Sequence, residues 1–400
     1  GTQTSIISNL DFYGIELYSP QLDAVKEQLQ RASGGLSKNS VFISEVSYPN
    51  YKGSLDGYLT KNSSDSQAKY FREIINLAGE LKISGFFINS LLDYKGAFAS
   101  LYGGYSENNI YKFGVLDYSR NLNGIVYKVL SSKLKNNFKV TITIGKQRED
   151  NPIIFILLSL ALSMVMAVLI NTKKKFREDC TRALMRPYNF FADIRDRRIM
   201  PGIHTAILTL IQAGSAALLV TVLLFYLRND ILFEKILLAF GHHSILRLVS
   251  YLAWNPQICF VVLFIIFALK FALLAAVLKF ASLFIIKTRV DFPAIFYCVV
   301  WSFLPLSLLL PIELILYKIL MIGNFNTAII LFFVFYFLWL MQRILKGIYV
   351  IFDVRPLMVY LYSFAVIVLA AGGILLKYQL TGSAIYYISN AIKQYRSMIF

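Results

Sequence analysis

The chain is poor in charge and in metal-binding side chains. Only 16% of its 400 residues are charged, where a soluble domain carries about 25%. That deficit, with 57% hydrophobic residues and a mean hydropathy of +0.58, excludes an ordinary soluble globular protein. Three histidines, His204, His242 and His243, are too few and too poorly spaced for a zinc site, so no metal and no cofactor is expected. The three cysteines, Cys180, Cys259 and Cys298, lie in or near the apolar part and imply no disulfide framework. No polar stretch interleaves Lys or Arg with aromatics, which argues against a nucleic-acid partner. The opening residues GTQTSIISNL have no basic and apolar run of a signal peptide, and they read as the inside of a domain.

What is present divides at about residue 145. Residues 1–145 hold 15 Lys and Arg against 12 Asp and Glu, whereas residues 146–400 hold 25 against 11. The first part alternates extended and helical patterns. DFYGIELY (11–18) reads as a strand, and residues 19–35 as an amphipathic helix opened by Ser-Pro and closed by Gly34-Gly35. VFIS (41–44) reads as a buried strand, 64–82 as a second helix with Tyr70, Ile74, Leu77 and Leu81 on one face, and 83–92 as a third strand. Residues 111–119 look extended and 123–136 helical. Alternation of this kind predicts a parallel sheet with helical crossovers.

The second part predicts six membrane-spanning helices, at 151–170 and about 203–227, 257–286, 292–316, 325–342 and 357–376. The stretch 228–256 is too polar to cross and reads as an amphipathic helix at the interface. Nine basic residues between 173 and 198, with Lys287, Arg289, Arg343, Lys346 and Arg355, give 14 on one side against nine on the other. The positive-inside rule puts the 14 in the cytoplasm. Residues 1–145 and the tail 379–400 are then extracytoplasmic, and the basic excess favours anionic lipid as a partner.

Glu45 is the first candidate for chemistry. It follows an apolar strand, and functional residues of parallel βα barrels stand at strand C-terminal ends. The alternative is a loop carboxylate that caps the next helix or pairs with a lysine. The stretch VFISEVSYP resembles the nucleophile strand of retaining (β/α)8-barrel glycoside hydrolases of the β-galactosidase and β-glucanase group, matched at Glu45, Tyr48 and Pro49, with Ser47 in place of the usual glycine. DFYGIELY resembles their sixth strand at Asp11, Gly14 and Tyr18, with Glu16 where Asn is common. GFFINSLLDYKG resembles the eighth at Gly85, Phe87, Asp93 and Gly96, with Asn89 where a sugar-stacking Trp is usual. Phe113, Gly114, Arg120 and Tyr127 resemble the closing segment.

The resemblance implies a nucleophile role for Glu45 and glycan contacts for Tyr18, Tyr48, Asn89 and Asp93. It covers only the C-terminal half of such a barrel. The second carboxylate of a retaining pair would come from a preceding strand, so a partner chain or further segment is expected to complete the barrel.

TRALMRPYNFFADIRDRR (181–198) precedes five spans and resembles the Yip family of membrane proteins at Arg186, Pro187, Phe190 and Ile194. That resemblance implies trafficking or scaffold roles rather than chemistry. Within the spans, Lys270 sits near the middle of the third and Glu313 near the outer end of the fourth. Such residues are functional candidates by default, Lys270 alternatively facing the bundle and bonding carbonyls.

The expected architecture is thus an α/β partial TIM-type barrel (1–145), a linker and first span (146–172), a basic cytoplasmic amphipathic segment (173–202), a five-helix Yip-like domain (203–378) and an amphipathic tail (379–400). The expected function is a membrane-anchored glycoside hydrolase-like protein of a bacterial inner membrane, acting on or binding an extracytoplasmic glycan. The alternative is a non-catalytic scaffold subunit of a larger membrane complex.

Overall fold

The computed structural model describes residues 12–17, 22–34, 41–53, 57–96, 101–106, 108–122, 124–135, 139–146, 153–199, 202–240, 242–283, 290–322 and 326–399. The first described elements are strand β1 (Tyr13–Leu17), helix α1 (Leu22–Gly34), strand β2 (Val41–Val46), helix α2 (Ser64–Glu80) and strand β3 (Phe86–Ile88). The strands pair in parallel in the order β1-β2-β3, so each crossover is a helix, as the alternation predicts. The third strand is much shorter than the apolar run 83–92 suggests. A two-stranded antiparallel pair follows, β4 (Tyr94–Lys95) with β5 (Ile110–Tyr111), and then helix α3 (Ile125–Leu134). The stretch 111–119 is therefore mostly loop, tied back by Leu116 N–H to Leu91 O at 2.9 Å.

Burial explains these elements. Leu17, Val25, Leu29, Val41, Ile43 and Val46 are fully buried in one core with Phe71, Ile74 and Val129. Each such side chain contributes about 1.5–3 kcal/mol relative to exposure. Helix α2 begins at Ser63, whose hydroxyl accepts from Ser66 N–H at 3.0 Å, and whose own O–H reaches Gly57 O at 2.8 Å. This caps one of the helix's unpaired donors.

From Ile153 onward the described elements are helical. Helix α4 (Ile153–Thr172) is apolar on all faces, and α5 (Lys174–Met185) and α6 (Pro187–Arg195) follow, Pro187 sitting in the first turn of α6. Next come α7 (Gly202–Leu227), α8 (Ile231–Ala239), α9 (His243–Trp254), α10 (Pro256–Ala281), α11 (Phe292–Ser302), α12 (Leu310–Ile322), α13 (Asn326–Ile351), α14 (Pro356–Gly382) and α15 (Ala384–Ile399). Six helical stretches among the described residues are long and apolar enough to cross a membrane: α4, α7, α10, the α11–α12 run, α13 and α14. The chain is thus a multi-pass membrane protein by length and composition, with apolar faces suited to lipid. The interfacial stretch is two helices, α8 and α9, rather than one. The fifth span runs on to Ile351, so Arg343 and Lys346 belong to a helix and not to a loop.

The fourth span is broken. A 3-10 segment at Leu304–Leu309, with Pro305 in its first turn, separates α11 from α12. Proline lacks the amide hydrogen that would continue the helix, and carbonyls around it lose their partners. Side chains of neighbouring spans bond carbonyls of this stretch. Ser302 O accepts from Arg343 Nε at 3.2 Å, Leu306 O from Ser215 Oγ at 2.9 Å, and Leu310 O from Ser159 Oγ at 2.6 Å. Pro305 O accepts from the Tyr336 hydroxyl. Arg343 also donates to Ala183 O at 2.8 Å and is 4% exposed, which explains a buried guanidinium within a span.

Contacts divide the chain into two compact units. One comprises Gly1–Asp150, Arg228–Tyr251 and Thr381–Phe400; the other comprises Asn151–Leu227 and Leu252–Leu380.

Candidate functional site

Glu45 lies within β2 rather than after it, and a bulge aims its side chain. Ile15 pairs with Ile43, but Glu16 pairs with Glu45, so Ser44 is an extra residue on β2. Strand side chains alternate between faces. Val41 and Ile43 point into the core, and strict alternation would send Glu45 after them. The extra residue reverses the phase, so Val46 is buried and Glu45 is half-buried at the strand end. Bulges serve this purpose beside functional sites.

The carboxylate is held by neighbours from two strands. Asn89 Nδ2, just after β3, donates to Glu45 Oε1 at 2.6 Å, and Ser47 Oγ donates to the same oxygen at 3.1 Å. Asn89 Nδ2 also lies 3.2 Å from Ser47 Oγ. The backbone fixes this triangle, because Asn89 N–H bonds Val46 O at 3.0 Å and Ser47 N–H bonds Leu17 O at 3.2 Å. Asn89 and Ser47, which differ from the glycosidase pattern, both orient Glu45.

Tyrosines surround this end of the sheet. Burial raises the Tyr94 hydroxyl pKa, a hydrogen bond with Asn89 opposes the rise, and the charges of Glu45 and Glu234 add to it. Tyr94 meets Tyr111 edge to face at 5.2 Å. Burial, with Glu234 and Tyr94 as lesser causes, pushes the Tyr111 hydroxyl up to about 12. Asp93 accepts from Gly114 N–H at 2.8 Å. Burial pushes its carboxyl up to about 6, against the lowering effects of that hydrogen bond and of Lys112.

The other expected site residues divide. Tyr48 is 5% exposed, packed on Tyr70 at 4.9 Å between ring centres, with its hydroxyl accepting from Asn62 N–H at 3.3 Å. It is a core residue and presents no ring face to a ligand. Tyr18 lies outside the described residues. Lys270 is exposed on α10 with its ammonium 4.9 Å from the Phe303 ring centre and 5.3 Å from that of Phe267. Cation–π contact replaces the carbonyl contacts considered for it. Glu313 does not sit near a span end. It is 1% exposed, and its Oε1 lies 2.6 Å from Ser215 Oγ, which is halfway along α7. The reason is that the fourth span extends to Ile322, beyond the expected residue 316.

Residues distant in sequence also join the rim. Glu234, in the first turn of α8, accepts from Tyr102 N–H at 2.6 Å. Tyr51 donates to Asn229 Oδ1 at 3.2 Å, and Tyr105 meets Tyr251 at 5.5 Å. No sequence motif marks these partners; the acidic first turn of α8, following Asp230 as its cap, is their only local signal. Among the described residues no cluster of His, Cys, Asp and Glu could hold a metal ion. Comparison with protein-family models, with curated proteins and with solved structures finds no match to this chain.

Proposed function

We propose that this is a membrane-anchored, glycosidase-like protein that binds an extracytoplasmic glycan at the Glu45 rim. The observation that carries the reading is the Asn89–Glu45 hydrogen bond of 2.6 Å at the C-terminal ends of parallel strands. A fixed carboxylate, an amide and tyrosine rings are the groups that bind sugar hydroxyls and stack on sugar faces. Three parallel strands with helical crossovers fit a portion of a βα barrel, in which ligands meet the same strand ends. A partner chain or further segment would cover the edges β1 and β3. The five later spans, led by Arg186, Pro187, Phe190 and Ile194, fit a Yip-like anchor.

Parity supports the orientation. The three segments of the first unit precede the first span, follow the second and follow the sixth. If all six cross, an even number of crossings separates each pair of segments, and all three emerge on one face. That face is extracytoplasmic by the positive-inside rule, and a bacterial inner membrane fits it.

A second reading, retaining hydrolysis with Glu45 as nucleophile, is favoured by one observation. Tyr94 lies within the electrostatic reach of two carboxylates, Glu45 and Glu234. Retaining chemistry needs two carboxyls about 5–5.5 Å apart. Full-length protein in lipid nanodiscs should bind oligosaccharides, measured by calorimetry, and Asn89→Ala should weaken that binding at least tenfold. Equal affinity in the variant rejects the rim as the binding site. Covalent capture of a fluoro-glycoside on Glu45 decides for turnover, and its absence alongside retained binding leaves recognition alone.

A further inference from the structure

The break in the fourth span contains a group that the glycan reading leaves unused. Ser215 Oγ has two neighbours, Leu306 O at 2.9 Å and Glu313 Oε1 at 2.6 Å. A serine hydroxyl has one hydrogen to donate. If it donates to the Leu306 carbonyl, the 2.6 Å contact with Glu313 needs its hydrogen from the carboxyl. A protonated Glu313 therefore satisfies both contacts. An ionised Glu313 accepts the Ser215 hydrogen bond for itself and leaves the Leu306 carbonyl without that donor.

The surroundings favour a group that gains and loses a proton over one that is permanently fixed. Glu313 Oε2 is buried and has no hydrogen-bond partner among the described residues. Gln212, 0% exposed and one turn from Ser215 on α7, has both ends of its amide in the same condition. So has the Ser163 hydroxyl, one turn from Ser159 on α4. Native proteins rarely leave buried polar atoms unpaired. Here three such side chains lie one turn from, or within, the contacts that hold the break.

Titratable neighbours are few. Helix α4 has none, and α7 has only His204 and Tyr226, near its two ends. Tyr317 and Lys318 follow on Glu313's own helix. On α13, Tyr336 lies within electrostatic reach of both Glu313 and Arg343. Lys270 approaches the break only from its exposed side, over Phe303. No described ion pair involves Glu313.

We propose that Glu313 is a proton-binding site, and that its protonation decides whether Ser215 caps the Leu306 carbonyl at the break of the fourth span. The proton comes from water and returns to it. One O–H bond forms on the carboxyl, and the Ser215 hydroxyl, keeping its hydrogen, turns its hydrogen bond from the carboxylate to the Leu306 oxygen. The bonds from Arg343, Tyr336 and Ser159 persist in both states, so the switch acts on one carbonyl of a span that is already interrupted.

Infrared difference spectroscopy on full-length protein in nanodiscs tests this. The protonated carboxyl of Glu313 gives a C=O band that is absent in Glu313→Gln. The band should disappear reversibly as pH rises, and Ser215→Ala, which should fold if Glu313→Gln does not, should shift its frequency. A band that persists unchanged from acid to alkaline pH, or is never present, overturns the proposal. So does loss of the band on adding Na⁺ at constant pH, since a metal ion would then be the ligand. Unchanged frequency in Ser215→Ala overturns the coupling to Leu306.

Discussion

Glu234 Oε2 accepts a hydrogen bond from the backbone N–H of Tyr102 at 2.6 Å, across 132 residues of sequence. The contact ties the loop before β5 to α8, beyond the second span. A hydrogen bond to a charged group contributes about 1.5–3 kcal/mol. Glu234→Ala should therefore loosen the loop without unfolding the bundle. Hydrogen exchange by mass spectrometry should show faster exchange at residues 101–106, with exchange in α7 and α10 unchanged.

Gly114 is confined by backbone on two sides. A Cβ there would lie 2.2 Å from Asp93 N and 2.3 Å from Leu116 O. Neither atom is at the end of a flexible side chain, so backbone must move. Gly114→Ala is expected to destabilise the first unit by about 3 kcal/mol or more. Thermal unfolding, followed by proteolysis of the extramembrane part, measures it.

Asp93 sets a pH dependence. Its folded-state pKa is raised from 3.8 to about 6, chiefly by burial. Between those values the folded state binds more protons than the unfolded state, so stability falls as pH rises and then levels off above the folded pKa. The loss is on the order of 1–3 kcal/mol. Asp93→Asn keeps an oxygen for the Gly114 N–H and removes the titration. Its melting temperature should gain on the wild type as pH goes from about 4 to about 6, and a constant difference would reject the assignment.

Arg343 caps two carbonyls, Ser302 O and Ala183 O, from within the fifth span. Lysine cannot reproduce the planar fork. Arg343→Lys should lower the stability of the bundle by about 1–3 kcal/mol, read from the melting of detergent-solubilised protein. Equal melting would show that these carbonyls find other donors.

The orientation is testable by labelling. Lys61 and Thr172 are both exposed, and Cys180, Cys259 and Cys298 are all buried. In intact cells an impermeant maleimide should react with Lys61→Cys and not with Thr172→Cys. The opposite pattern would invert the topology.

The apolar runs are legible in sequence because lipid offers no hydrogen bonds to a backbone, so a spanning segment must be one long apolar helix. The six spans were expected within a few residues at most boundaries, and α1, α2 and β2 follow from local signals such as Gly34, the face of Tyr70, Ile74, Leu77 and Leu81, and the run from Val41. Position within those elements was not legible. The direction of Glu45 depends on an extra residue opposite β1, a property of pairing between strands. The depth of Glu313 depends on where Ser215 meets the fourth span, and the partner of Tyr102 lies beyond two membrane crossings. Local sequence sets which backbone conformation is cheapest. Which side chains meet depends on long-range packing, and only the tertiary structure decides it.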